Sequence, residues 1–217
     1  MPAGFHRVIA IDGPAASGKS SLARELARRL GFVYVNSGAI YRAIAWYVLR
    51  RGIAPDDRAC IAQRVRSVEI SCHLENNESR VCIDDVDPTN HLRDDPVNKA
   101  VSQVSTVPEV RDIVTEKMRN YARAYDVVVE GRDIGSVVFP DALCKFYIDA
   151  SPEVRFRRRA AEGQGDEIAA RDRVDSSRRA SPLTVAQDAQ VIDTSDLTIE
   201  EVIAKIVEQL KRKGLPL

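Results

Sequence analysis

One segment of this sequence constrains the fold more than any other: the run GPAASGKS, from Gly13 to Ser20. It matches the pattern G-x-x-x-x-G-K-[ST] and lies between a short apolar run and a helical pattern. The glycines let the backbone bend so that its N–H groups converge on phosphate oxygens, and the start of a helix adds favourable partial charge there. The segment therefore predicts a phosphate-binding loop. The residues expected to contact the nucleotide are Gly13, Pro14, Ala15, Ala16, Ser17, Gly18, Lys19, Ser20 and Ser21.

Short apolar runs rich in β-branched residues alternate with helical patterns along the chain, which is typical of a parallel sheet with crossover helices. The predicted strands cover 8–11, 32–35, 127–129, 145–148 and 190–192. Leucines at i, i+4 and i+8 predict a helix over 20–30, and a second apolar repeat predicts one over 198–213, with Thr198 and Glu201 as a capping box. The pattern predicts an α/β fold of the P-loop NTPase type, with a central five-stranded parallel sheet flanked by helices.

Two segments interrupt this alternation. Residues 67–95 change to a period of two, with Asn76 and Asn77 at a turn, which predicts a small antiparallel β insert. Residues 151–181 are rich in arginine around a Gly163-Gln164-Gly165 break, and acidic residues offset most of that charge. We expect this second segment to act as a mobile lid that places guanidinium groups over a phosphate.

Composition narrows the class of protein further. The 217 residues are enough for one well-cored domain, and Lys plus Arg equals Asp plus Glu at 32 each, so the chain lacks the basic excess of a nucleic-acid-coating protein. The four cysteines form no C-x-x-C pair, which gives no support to a zinc or redox motif. No charged leader and no membrane-length apolar run are present, so we expect a cytoplasmic protein without membrane or nucleic-acid partners, most simply a monomer.

The chemistry of the loop requires a cation and a second anion site. Lys19 is expected to bridge the β- and γ-phosphates, and the Ser20 hydroxyl to bind Mg²⁺. After the third strand come Glu130, Arg132 and Asp133, at the carboxyl end where α/β sheets bind ligands. There Glu130 is predicted to hold Mg²⁺ through water, Arg132 to face anions and Asp133 to accept from a donor. The loop alone fits GTPases, motor ATPases, switches and small-molecule kinases.

Four further motifs carry a resemblance. They are NSGAIYR at 36–42, SQVSTVPEVR at 102–111, EGRDIGSVVFPDA at 130–142 and RDRVDSSRRASPL at 171–183. In order and spacing, this sequence resembles the bacterial cytidylate kinases over almost its whole length. The resemblance implies one kinase domain over 1–217, an inserted CMP-binding subdomain over 65–100 and an arginine-rich lid over 153–178. It implies transfer of a phosphoryl group from ATP with Mg²⁺ to CMP, and to dCMP, giving CDP and ADP.

The resemblance also assigns roles to acceptor-side residues. It implies phosphate ligands at Arg42, Arg132 and Arg178, base-reading residues at Ser102, Arg111 and Asp133, and ribose contacts at Tyr41, Arg171 and Asp175. Lid arginines that stabilise the transferring phosphoryl group correspond to Arg155, Arg158 and Arg159, with Ser37 near the acceptor.

Two departures from the family pattern are visible. Asn36 stands where the family usually has aspartate, and the lid between Arg159 and Arg171 looks short. Two other functions stay open at this point. One is a P-loop kinase for another small acceptor, such as shikimate or a different nucleotide; the other is a nucleotide-binding switch without catalysis.

Overall fold

The computed structural model describes residues 6–161, 172 and 183–215. The chain divides into two compact units. The first unit comprises Met1–Tyr34 and Ala122–Leu217, and the second comprises Val35–Tyr121. Across the described residues, no helix has both the length and the apolar character that crossing a membrane requires.

Within the described residues seven strands form one mostly parallel sheet, in the order β3-β4-β2-β5-β1-β6-β7. Strand β1 pairs in parallel with β5 and with β6, and β6 pairs in parallel with β7. The five predicted strands are confirmed, but the predicted sheet size was too small, because the insert's two strands join the same sheet. The strands are β1 (Val8–Asp12), β2 (Val33–Asn36), β3 (Ile70–Glu75), β4 (Glu78–Ile83), β5 (Val127–Gly131), β6 (Cys144–Asp149) and β7 (Gln190–Asp193).

The described residues contain seven α-helices: α1 (Lys19–Leu30), α2 (Ser37–Arg50), α3 (Arg58–Val65), α4 (Asp95–Val104), α5 (Pro108–Ala124), α6 (Pro152–Ala161) and α7 (Ile199–Arg212). A π-helical turn covers Ile134–Val138 and a 3₁₀ turn covers Thr89–His91. The predicted capping box of α7 is confirmed. Thr198 accepts from the backbone N–H of Glu201, whose carboxylate accepts from the backbone N–H of Thr198.

The core of the first unit explains why β1 is entirely apolar up to its last residue. Ile9 and Ile11 are fully buried in one cluster with Leu26 of α1 and Ile206 of α7. A central parallel strand is covered on both faces and therefore needs apolar side chains at successive positions. This packing fixes the carboxyl end of β1, where the chain turns into the phosphate loop.

The predicted antiparallel insert is confirmed in the second unit. Strands β3 and β4 pair antiparallel, with Glu75 opposite Glu78. Asn76 and Asn77 between them have φ of 52° and 60°, the left-handed conformation that a two-residue hairpin turn requires and that asparagine tolerates. The hydroxyl of Tyr121, in α5, donates to the carbonyl of His73 in β3 at 2.7 Å. This bond ties the hairpin to a helix of the same unit.

Candidate active site

The phosphate loop of the first unit has a backbone shape that its two outer glycines make possible. Gly18 adopts φ 88° and caps α1, and Gly13 adopts φ 152°. A Cβ atom on Gly13 would lie 2.1 Å from the carbonyl oxygen of Ile148, so no other residue fits there without a shift of β6. The predicted strand–loop–helix context of the loop is therefore confirmed, with its backbone bent at the start of a helix.

Two polar side chains in this loop are buried. Lys19 is 7% exposed, and its Nζ donates to the carbonyl oxygen of Pro14 at 2.8 Å. Ser17 is fully buried, and its Oγ has no hydrogen-bond partner among the residues that the structure describes. A buried hydroxyl without a partner carries an energetic penalty that a bound ligand could remove. Phosphate oxygens would accept from both groups.

Ser20 lies in the first turn of α1 and donates from Oγ to Oε2 of Glu130 at 2.8 Å. Glu130 lies near the end of β5, is 2% exposed, and also accepts at Oε1 from the hydroxyl of Tyr34 at 2.6 Å. Hydroxyl and carboxylate oxygens are the ligand type that Mg²⁺ prefers, so this pair fits that cation chemically. No group of three or more His, Cys, Asp or Glu in the described residues could by itself hold a metal.

Two arginines of α6 donate hydrogen bonds to the phosphate loop. Arg155 donates from Nη1 to the carbonyl oxygen of Ala15 at 3.3 Å, and Arg158 donates from Nη1 to that of Ser17 at 3.2 Å. Arg158 also donates to the carbonyl oxygen of Thr194 at 2.7 Å. Both guanidinium groups are thereby hydrogen-bonded to backbone carbonyls of the phosphate loop.

Asp172 is also bonded to the phosphate loop. Its Oδ1 accepts from the backbone N–H of Ala15 at 3.2 Å, and its Oδ2 forms an ion pair with Arg155. A carboxylate on a phosphate-loop N–H occupies a group that a nucleotide phosphate would use. Sequence patterns gave no reason to select this residue from the acidic residues of its segment.

The turn after β5 is organised by Asp12, at the end of β1. The carboxylate of Asp12 accepts from the backbone N–H groups of Ile134 and Gly135, each at 2.8 Å. Burial raises the pKa of Asp12 to about 6, and the charge of the nearby Asp133 acts in the same direction with a smaller effect. The two backbone hydrogen bonds and Arg132 act in the opposite direction. Asp133 is 4% exposed and immediately precedes the bonded turn. Asp12 thus fixes the turn that directly follows Arg132 and Asp133.

In the second unit, the start of α2 holds Arg42. Asn36 caps this helix, accepting at Oδ1 from the backbone N–H of Ala39 at 3.0 Å. Asparagine caps as well as aspartate does, so the departure at Asn36 preserves the local structure. Arg42 donates to the carbonyl oxygen of Gly38 at 3.0 Å and to Oδ1 of Asn98 at 3.4 Å, while Ser37 is buried.

Tyr41 and Arg111 come together within the second unit. The guanidinium carbon of Arg111 lies 5.7 Å from the centre of the Tyr41 ring, and its Nη1 donates to the carbonyl oxygen of Ser105 at 3.3 Å. Arg111 is 7% exposed, and a buried guanidinium held by a ring and a carbonyl has a fixed orientation. The carbonyl of Ser102 accepts from Oγ of Ser105 at 2.9 Å. The predicted ribose and base contacts Tyr41 and Arg111 are therefore neighbours.

Three predicted acceptor ligands, Arg171, Asp175 and Arg178, lie outside the described residues, as does most of the predicted lid over 153–178. Sequence reasoning missed Asp12, Tyr34, Asn98 and Asp172. Their contacts span large distances along the chain: Asp12 bonds 122 and 123 residues away, and Tyr34 bonds 96 residues away. The position of Asp12 at the end of a strand, directly before the loop, was the one available signal.

Comparison with known proteins gives a consistent result. The family model for cytidylate kinase matches residues 9–212. The cytidylate kinase of Caldanaerobacter subterraneus subsp. tengcongensis is 44% identical over 215 residues, covering 94% of both chains. That of Pelotomaculum thermopropionicum is 44% identical over 215 residues, covering 93% of this chain and 95% of its own. That of Mycobacterium leprae is 44% identical over 219 residues, covering 95% and 96%.

Proposed function

We propose a division of labour among the site residues of this chain, which belongs to the cytidylate kinase family. As a member of that family it is an enzyme, a P-loop kinase that phosphorylates CMP with ATP as the phosphoryl donor. The family match over residues 9–212 is the observation that carries this conclusion, because it spans the phosphate loop and every predicted motif up to the last helix. The roles below are proposals for individual residues.

On the donor side, the phosphate-loop N–H groups and Lys19 bind the ATP phosphates. Lys19 leaves the carbonyl oxygen of Pro14 for the β- and γ-phosphates, an exchange of a neutral acceptor for a charged one. Ser17 supplies a donor to these phosphates, because its buried hydroxyl lacks a partner among the described residues. Ser20 and, through water, Glu130 hold Mg²⁺, which when bound neutralises phosphate charge.

On the acceptor side, Arg42, Arg132 and Arg178 bind the CMP phosphate, with Ser37 nearby. Ser102, Arg111 and Asp133 read the cytosine base, and Tyr41, Arg171 and Asp175 contact the ribose. Two observations support these assignments: the fixed guanidinium of Arg111 beside Tyr41, and the turn directly after Asp133 that Asp12 holds by two hydrogen bonds. Cytosine presents an amino donor at position 4 where uracil presents an acceptor, so a carboxylate from Asp133 selects cytosine.

Arg155 and Arg158 stabilise the transferring phosphoryl group. Each is hydrogen-bonded to a backbone carbonyl of the phosphate loop, and each exchanges that carbonyl for a phosphoryl oxygen when nucleotides bind. Phosphoryl transfer needs alignment and charge neutralisation more than a strong base, so no covalent intermediate with the protein forms. Exclusion of water by the lid segment over 153–178 protects the phosphoryl group from hydrolysis.

The proposal also covers the second acceptor, the domain organisation, the cellular location and the oligomeric state. We assign dCMP as a second acceptor, the segment 65–100 as the CMP-binding insert and the whole chain as one kinase domain. We also propose a cytoplasmic monomer. Cys60, Cys72, Cys82 and Cys144 are all free thiols, as expected in a reducing compartment, and ATP and CMP are cytoplasmic metabolites.

An assay that couples ADP formation to NADH oxidation tests the acceptor. ATP and Mg²⁺ are supplied with CMP, dCMP, UMP, AMP, GMP or shikimate in turn. We expect kcat/KM to be highest for CMP, with dCMP next and the others far lower. Turnover of shikimate or of another nucleotide above that of CMP would contradict the proposal.

A further inference from the structure

Tyr34 makes a contact that no predicted motif includes. It lies in β2, is 3% exposed, and donates its hydroxyl proton to Oε1 of Glu130 at 2.6 Å. This distance is shorter than that of most neutral O–H···O hydrogen bonds and typical of one strengthened by the acceptor's charge. The guanidinium carbon of Arg24 lies 5.0 Å from the centre of the Tyr34 ring, which gives the phenol a second fixed contact.

The two oxygens of Glu130 have different partners. Oε1 accepts from Tyr34, and Oε2 accepts from the hydroxyl of Ser20 at 2.8 Å. One buried carboxylate therefore links three elements, β2, β5 and α1. A carboxylate with both oxygens bonded has a defined plane, because rotation about its last side-chain bond would break both hydrogen bonds.

We propose that Tyr34 is a positioning residue of the magnesium site, holding Glu130 so that its other oxygen accepts the hydrogen bond from the Ser20 hydroxyl. The inference rests on the proposed function, in which Ser20 and Glu130 serve Mg²⁺. A serine hydroxyl has one proton and two lone pairs. With its proton directed to Glu130, the Ser20 oxygen offers its lone pairs to a cation. Tyr34 acts on that cation only through Glu130.

A purely structural role of the Tyr34 hydroxyl predicts a different result. If Tyr34 merely satisfied its own buried hydroxyl, its removal would lower stability and leave cation affinity alone. Tyr121 offers a matched control for cation binding, since it is another buried tyrosine whose hydroxyl donates at 2.7 Å, to a backbone carbonyl outside the proposed magnesium site. Tyr34→Phe and Tyr121→Phe each remove one buried hydroxyl bond.

The test measures cation binding directly. Free Mn²⁺ is followed by electron paramagnetic resonance as it is titrated into the ADP-loaded protein, and thermal unfolding without cation or nucleotide verifies folding. We expect Tyr34→Phe to weaken Mn²⁺ binding by about tenfold, the lower end of what residues behind a metal ligand contribute. Tyr121→Phe should leave it unchanged. In turnover, Tyr34→Phe should raise the Mg²⁺ concentration for half-maximal rate and spare the KM for CMP.

Glu130→Gln separates failure of this inference from failure of the metal assignment. If Glu130→Gln weakens Mn²⁺ binding and Tyr34→Phe does not, the positioning role is overturned and the metal assignment stands. If neither change affects Mn²⁺ binding, both are overturned. If both weaken it, and Tyr34→Phe has no further effect in the Glu130→Gln background, the inference is supported. Independent effects in that background would overturn it, because Tyr34 would then act by another route.

A measurement on the unaltered chain covers the case in which Tyr34→Phe does not fold. Tyrosine labelled with ¹³C at Cζ reports the hydrogen bond of each phenol. We expect the Tyr34 resonance to shift when Mg²⁺ joins the ADP complex, and that of Tyr121 to stay in place. A Tyr34 resonance that does not respond to Mg²⁺ would overturn the inference.

Discussion

The substitution Asp12→Asn tests whether ionisation of the buried carboxylate directly before the phosphate loop lowers the free energy of unfolding. Asp12 is 5% exposed, and burial raises its pKa from an ordinary 3.8 to about 6. Between those two pH values the unfolded chain ionises while the folded protein keeps its proton, so the folded state loses relative stability as pH rises. Below 3.8 both states are protonated and no difference exists. Above 6 both are ionised and the cost is constant.

The size of the effect follows from the two pKa values. One pH unit of pKa difference corresponds to about 1.4 kcal/mol. The cost of ionising Asp12 in the folded state is then about 1 kcal/mol at pH 4.5 and about 3 kcal/mol at pH 7.5. Asparagine keeps the shape but cannot ionise. Its amide turns a donor toward one of the N–H groups of Ile134 and Gly135, which costs roughly 1–3 kcal/mol at every pH.

The assay is urea unfolding of wild type and Asp12→Asn at pH 4.5, 5.5, 6.5 and 7.5. The free energy of unfolding of the variant, minus that of wild type, should increase by about 2 kcal/mol from the lowest to the highest pH. Asp126→Asn is the control. The hydrogen bond from Arg7 lowers the pKa of Asp126 in the folded state. The stability that the Asp126 carboxylate contributes is therefore lost only as pH falls below this range. A difference for Asp12→Asn that stays constant or falls with pH would show that the folded state does not raise the pKa of Asp12.

Four further variants test the assignments of individual site residues. Lys19→Ala should lower kcat by on the order of 10²–10³ without unfolding the protein, and near-normal turnover with an unchanged melting temperature would rule the loop mechanism out. Asp133→Asn should lower the ratio of kcat/KM for CMP over UMP by the equivalent of ~1–3 kcal/mol; equal losses on both substrates would assign Asp133 to an ion pair instead. Arg155→Ala and Arg158→Ala should each lower kcat more than they raise the KM for CMP, and the reverse result would place them in the ground-state site.

The sequence was most informative where the cause of structure is local. The spacing of Leu22 and Leu26 predicted α1, and Asn76 with Asn77 predicted the hairpin turn, because each depends only on neighbouring residues. The number of strands in the sheet was underestimated for the opposite reason. Whether the edge of a hairpin joins another sheet depends on pairing between segments far apart in the chain, which periodicity does not reveal.

The residues of the functional site show the same division between local and long-range causes. A motif with fixed spacing identified Lys19 and Ser20, and its predicted surroundings are confirmed. Tyr34 and Asp12 were missed because each acts on a partner about a hundred residues away. A tyrosine in an apolar strand looks like an ordinary core residue until the strand order brings its hydroxyl to Glu130. Likewise, Asn36 looked like a lost charge from sequence, and the structure shows it capping a helix.

Phosphorus NMR of a mixture of the protein with ATP, Mg²⁺ and CMP shows directly whether this chain phosphorylates CMP, because it identifies the bond that is made. We expect the CMP phosphorus signal to disappear as the two signals of CDP grow, with one ADP formed for each CDP and no inorganic phosphate. Release of inorganic phosphate while CMP stays unchanged would show hydrolysis without transfer. That result would contradict the assignment of this chain as a kinase of CMP.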